Sequence, residues 1–396
     1  MSEPTKKRSR IQRWRVLIIL VATVWLAWRI YTTPSPKPVT PPAFEGDSKD
    51  LKETVVVPTL DAPIPAGKNV IWCASFVSAW KKIESDITSA PLVLEGSPPI
   101  ADSLNKAPDP RPDIPESSLY VAAGRNQDGI IQTISSDLKK QFPGKAIPSF
   151  PGIAPDAFAV YSYLEARIAF DIPYIQNDQP LVFTDRTGRE TEVSSFGIRK
   201  KDECDLEKLR QQPKVLYRKR GTGPDNPSEF IVDLDGASQP NQIILALIEP
   251  KSTLAKTVVE AEKKTGDYSL DGENIEGSLD IKDVLLVPDI AWNITHHFAE
   301  LEGRMFKNAQ LKEHKVQIVQ QDIAFSLNKN GAELRSISFF SLIKSAPFRY
   351  TFNRPFLLYM KKRGATQPYF AMWVENAELL AKWKPETGNE ASSPSK

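Results

Sequence analysis

The chain has 396 residues, 41% of them apolar and 25% charged, which suits a folded globular protein and excludes a wholly disordered one. It carries 33 prolines against 19 glycines, a balance that favours extended segments, strand edges and loops over long helices. The net charge of +2 hides an asymmetry: residues 1–40 hold eight Lys or Arg and one acidic residue, which leaves 43 basic and 48 acidic residues in the remainder. That mildly acidic body gives no electrostatic support to nucleic-acid binding.

The basic segment 1–13 contains Lys6, Lys7, Arg8, Arg10 and Arg13. It precedes Trp14–Tyr31, whose core Val16–Trp28 has no charged residue. That core is short for a full span. Trp14 and Tyr31 extend it because such rings favour the membrane interface, and Arg29 can reach back to the headgroups. A cleaved signal peptide has an apolar core of the same length, but Trp28-Arg29-Ile30-Tyr31 offers no small-residue cleavage site. Residues 14–31 are therefore expected to be an uncleaved signal anchor of bacterial type. The basic excess would keep the N-terminus cytoplasmic and place the C-terminal domain on the outer side. Residues 32–66 begin with TTPSPKPVTPPAFEG and read as a Pro-rich extended tether, with a globular domain expected over 67–384.

Within that domain, Trp72, Phe76, Ala79, Trp80 and Ile83 recur at spacings of three and four, which predicts a helix over 69–83. Residues 95–118 are rich in Pro and Asp and read as loop. Ile130, Ile131, Ile134, Leu138 and Phe142 predict an amphipathic helix over 129–142. After Pro155 the pattern changes to strands, expected at 157–169, 180–183, 192–197, 215–217, 229–234, 242–249, 283–290 and 316–327. One helix interrupts them, 252–264, with Ser252 as its cap. A polar stretch follows Gly331. Two short apolar runs, Phe356–Met360 and Tyr369–Val374, then flank the turn Arg363-Gly364-Ala365-Thr366 and predict a buried C-terminal hairpin. Residues 385–396 are polar and read as a disordered tail.

No chemistry-bearing motif stands out. His296, His297 and His314 lack a metal-ligand spacing and read as surface or satisfied histidines. Cys73 lies on an apolar face and Cys204 in a charged stretch; their pairing is left open. Lys361-Lys362-Arg363 reads as a solvated turn, and Asn293-Ile294-Thr295 is a glycosylation sequon. No nucleophile elbow, phosphate loop or dinucleotide fingerprint is present, so the expectation is no enzyme activity and no cofactor.

The order of these parts resembles the serpins, the serine protease inhibitor family. Phe352 and Arg354-Pro355-Phe356 match that family's penultimate strand, and Tyr369–Val374 its last one, with Met372 where the family has Gly. Lys68-Asn69-Val70-Ile71 with Ser75, Ser78 and Ala79 echoes an early family segment that lacks its Ser-Pro here. Leu247-Ile248-Glu249-Pro250 and Val287-Pro288-Asp289-Ile290 continue the series. The resemblance covers about residues 67–380, is strong from 155 onward, and implies an α+β, sheet-dominated fold with a reduced helical part. It also implies an exposed reactive loop over 332–350, with Gly331, Ala332, Glu333, Lys344, Ser345 and Arg349 as its notable positions.

Inhibitory serpins act when a protease cuts this loop and its first half enters a sheet as a new strand, which needs small side chains. Here the even positions would bury Leu334 and Phe340, and the odd ones Arg335, Ile337 and Phe339. The sequence thus points to a non-inhibitory, membrane-tethered binding or structural module. The alternative is an active inhibitor with 332–350 as bait. The expected partners are the membrane and a protease or another protein.

Overall fold

The computed structural model describes residues 42–384, apart from 144–153, 156, 167, 169, 200–205, 222–226, 267–276, 281, 318 and 332–347. The proposed anchor 14–31 and the tail 385–396 lie outside the described residues. Among the described residues no helix is long and apolar enough to cross a membrane.

The elements run as follows. β1 (Phe44–Asp47) and β2 (Thr54–Val56) come first, and β3 (Asn69–Cys73) leads directly into α1 (Ala74–Ile83). After α2 (Pro99–Lys106) come β4 (Leu119–Arg125), α3 (Ile130–Gln141) and β5 (Phe158–Leu164). β6 (Ile175–Gln176), β7 (Leu181–Thr184), β8 (Glu190–Val193), β9 (Ser195–Ile198) and the short α4 (Leu206–Gln211) follow. Next come β10 (Lys214–Arg220), β11 (Pro227–Asp233), β12 (Asn241–Leu247) and α5 (Leu254–Gly266). β13 (Val284–Pro288), β14 (Ile290–His297), β15 (Gln320–Leu327), β16 (Arg349–Thr351), β17 (Phe356–Lys362) and β18 (Phe370–Val374) complete the α+β fold.

The predicted C-terminal hairpin forms the middle of the largest sheet, whose order is β10-β11-β12-β17-β18-β3-β2. Phe356 pairs with Val374 and Met360 with Phe370, and β18 pairs in turn with β3. Phe356, Leu358 and Met372 are wholly buried. Hydrophobicity on both faces is the mark of a strand covered from both sides, and a second layer supplies one cover. That layer is the three-stranded sheet β1-β14-β15. Trp292 of β14 lies 6.2 Å from the Phe370 ring, and Phe325 of β15 stacks on Phe370 at 4.8 Å.

Four local expectations are corrected. The helix expected over 69–83 begins only at Ala74: Asn69–Cys73 is a strand held between β2 and β18, buried at every position. Residues 42–66 belong to the fold rather than to a tether, since β1 pairs with β14 and β2 with β3. The stretch read as loop contains α2, where Pro98 and Pro99 start a helix whose Ala101 and Leu104 are buried. The cap of α5 is Thr253, whose Oγ1 accepts from the Lys256 amide at 3.2 Å.

Candidate functional site

The feature with the clearest functional content is a pair of neighbouring strands from two different sheets. β14 and β15 are antiparallel, from Ile290↔Leu327 to His297↔Gln320, and β15 is the last strand of its sheet. β4 and β5 form a separate antiparallel pair, from Leu119↔Leu164 to Arg125↔Phe158. The face of that hairpin bearing Tyr120, Tyr161 and Tyr163 packs with Ile134, Leu138 and Phe142 in and just after α3.

Contacts at both ends place β5 beside β15. Phe158, at the start of β5, meets His314, shortly before β15, edge to face at 5.1 Å. Beyond the end of β5, the Tyr174 amide donates to the Lys329 carbonyl at 2.8 Å, just past β15. Midway, the charge of Asp322 reaches Tyr161 and, with burial as the larger cause, pushes its phenol up to about 12. Start lies near start and end near end, so the two strands run parallel. No backbone pair joins them among the described residues. The outer positions of β15, Gln320, Asp322, Ala324 and Ser326, are exposed, whereas Gln321, Ile323 and Leu327 point inward. Gln321 is anchored there: its Nε2 donates to Ser75 Oγ at 2.8 Å and to the Cys73 carbonyl at 3.2 Å.

The chain leaves β15 through a turn at Asn328–Gly331, in which the Asn330 amide donates to Asn328 Oδ1 at 2.9 Å. Gly331 has φ +32°, and a Cβ there would fall 2.3 Å from the Phe170 ring. Phe170 is buried against Tyr174 edge-on at 4.8 Å, and the Tyr174 hydroxyl donates to the Leu234 carbonyl at 2.7 Å. An aromatic plug therefore closes the end of the β5–β15 pair at which Gly331 sits.

Of the sequence-designated loop positions, Gly331 lies at this plug. Ala332, Glu333, Lys344 and Ser345 fall outside the described residues. Arg349 is not in a loop but in β16, exposed and paired in parallel with Val284 of β13. The chain is already fixed at Phe348, whose amide donates to Asp283 Oδ1 at 2.8 Å and whose ring carries the Arg218 guanidinium at 3.9 Å. The segment read as bait thus ends before 348.

The remaining candidates resolve as structural groups. His296 Nδ1 lies 2.7 Å from Ser48 Oγ, and burial lowers its pKa. His297 lies 3.8 Å from Glu302. Among the described residues no group of three metal-binding side chains assembles. Cys73 is buried with Sγ 3.4 Å from Ser75 Oγ, and burial raises its thiol; Cys204 lies outside the described residues. The cluster read as a solvated turn is instead tied down. Lys361 bonds Glu262 Oε2 at 3.1 Å, and Arg363 reaches Asp233 Oδ2 at 2.9 Å and the Asp235 carbonyl at 2.6 Å. Asn293 of the sequon is exposed on β14.

The chain matches no family model and no curated protein sequence. Among solved structures it is similar to human thyroxine-binding globulin complexed with thyroxine, at 14% identity and TM-score 0.45, covering 78% of this chain and 92% of that one. It is similar to human glycosylated kallistatin at 14% identity and TM-score 0.44, covering 78% and 92%. It is also similar to mouse protein-Z-dependent protease inhibitor, at 15% identity and TM-score 0.45, covering 78% and 91%.

Proposed function

We propose that this chain is a serpin-like protein-binding module that does not trap proteases, held on the outer side of a membrane by residues 14–31. The observation that argues against protease trapping is the plug at Gly331. Entry of a new strand into a sheet requires two facing strand edges, and β5 and β15 face each other with no backbone pair between them among the described residues. A strand entering from β15 would have to begin at Gly331, against the buried Phe170 ring. It would then set either Leu334 and Phe340, or Arg335, Ile337 and Phe339, toward packed side chains. Overpacking and buried charge oppose that by a few kcal/mol per group, so cleavage of the segment after Gly331 is expected to be ordinary proteolysis. The order of motifs along 155–380, with the hairpin β17–β18 inside a sheet, supports the family reading.

The test uses the full-length protein recovered from alkali-washed membranes. Its loss into the wash would remove the tether. The retained protein is incubated with trypsin-like and chymotrypsin-like proteases. The expected outcome is cut fragments on a denaturing gel and an unchanged melting temperature. A stable band at the summed mass, or a large rise in melting temperature after the cut, would establish the inhibitor instead.

A further inference from the structure

Between β14 and β15 the chain forms a small hairpin, and an earlier segment pairs along its side. The Phe306 amide donates to the His314 carbonyl at 3.0 Å and the Val316 amide to the Arg304 carbonyl at 2.9 Å, around the bridge Met305↔Lys315. On the other side, the Glu95 amide donates to the Met305 carbonyl at 2.8 Å and the Lys307 amide to the Val93 carbonyl at 2.8 Å, around the bridge Leu94↔Phe306. Three antiparallel segments, 93–95, 304–307 and 314–316, therefore lie side by side as a short ladder.

Alternation along each segment decides what the two faces carry. Leu94 and Phe306 share the inner face, where Leu94 is 1% exposed and Phe306 packs on the main core. Val93, Glu95, Met305, Lys307 and Lys315 therefore share the outer face. There Val93 is 45% exposed, Met305 is half-buried, and Glu95, Lys307 and Lys315 are exposed. Neither of these lysines joins an ion pair among the described residues, and nor does the exposed Lys312 in the adjoining turn. The carboxylates on this side are those of Glu95 and of Glu313, next to Lys312. The backbone beneath is well tied. Asn308 Oδ1 accepts from the Val93 amide at 2.8 Å, its Nδ2 donates to the Pro91 carbonyl at 3.0 Å, and Arg304 Nη1 donates to the Glu95 carbonyl at 3.0 Å.

We infer that this outer face is a docking surface for an acidic segment of a partner protein, with Val93 and Met305 as its apolar centre and Lys307, Lys312 and Lys315 as its charges. An apolar centre with a charged rim is the layout of a protein interface, and a surface already tied in place loses little freedom when it binds. Three cations without internal partners, set against two carboxylates, make the face locally positive, so charge selects an acidic partner. Glu95 narrows the choice further. It lies opposite Met305, in the same row as Lys315, and opposes a uniformly anionic surface such as a layer of lipid headgroups. A protein segment can set carboxylates against the lysines and a neutral or donor group against Glu95. The inference rests on the reading of this chain as a binding module and gives that module a surface.

Fluorescence polarisation tests it, with the full-length protein in nonionic detergent and a fluorescein-labelled peptide of repeated Glu-Glu-Leu. Saturable binding is expected, weakened at least about tenfold between about 50 mM and about 500 mM salt. Lys307→Glu combined with Lys315→Glu should weaken it at least about tenfold and should create binding of the matching Lys-Lys-Leu peptide, a gain that misfolding would not produce. Val93→Ser should weaken it about fivefold through lost apolar contact. The protease and membrane-wash assays do not read this face, so the surface and the module reading can fail separately. No saturable binding, equal binding by the wild type and the double variant, or displacement of the peptide by micelles carrying phosphatidylglycerol would overturn the inference.

Discussion

Gly331→Ala tests the plug at the end of β15 directly. Two costs add. At φ +32° an L-residue pays the left-handed penalty of about 1–2 kcal/mol. The new methyl would also lie 2.3 Å from Phe170, well inside van der Waals contact. The ring has little room to retreat, being packed on Tyr174 at 4.8 Å with Phe196 at 6.3 Å, and overpacking of this kind costs about 1–3 kcal/mol. The sum is about 2–5 kcal/mol, read as a shift in urea midpoint at constant slope. A double-mutant cycle separates the two parts. Phe170→Ala alone should cost about 3–5 kcal/mol as a core truncation. Combined with Gly331→Ala it should show a favourable coupling of about 1–2 kcal/mol, because the cavity accepts the methyl. A Gly331→Ala shift below about 0.5 kcal/mol, or strict additivity with Phe170→Ala, would refute the packing of the turn against this ring.

Phe356→Ala should cost about 3–5 kcal/mol in the same assay, because the side chain is wholly buried and meets Phe352 at 5.2 Å; a shift below about 1 kcal/mol would place β17 at a surface. Asp235 should weaken the fold as pH rises. Burial and the nearby Asp233 push its carboxyl up to about 6, so the stability it contributes is present below pH 4 and is lost as pH climbs through 6. Asp235→Asn should therefore show a smaller fall in urea midpoint between pH 4 and 6.5 than the wild type, and an identical fall would count against this assignment.

The hairpin was legible because β17 and β18 are apolar at nearly every position and are bounded by Pro355, Gly364 and Pro368. The same property hid β3. A strand buried on both faces has no alternation, and Trp72 fell into the three-four spacing of the helix behind it. Helix α2 was masked by its own start signal, since Pro98-Pro99 in a Pro-rich stretch reads as a breaker unless the buried Ala101 and Leu104 are weighed with it. β14 extends well beyond the stretch read as strand, because its polar run Asn293–His297 resembles a loop with a sequon. The β5–β15 edges could not be read at all. Their placement is decided by contacts such as Tyr174 to Lys329, 155 residues apart in the chain.

The edge of a sheet is a hazard, since it can offer a row of backbone groups to any passing strand. At β15 the chain meets the hazard with local chemistry. Asp322 lies on the exposed face of β15, fixed there by the Thr295 hydroxyl at 2.7 Å and by Gln320 Nε2 at 2.9 Å. A carboxylate held at mid-strand discourages an apolar strand from pairing alongside. At the far end, Phe170 fills the space a Cβ on Gly331 would need. Under the proposed binding function, a partner at β15 would bring its own polar or basic complement to Asp322, which is exposed there. Binding at β15 is then a matter of matching that charge.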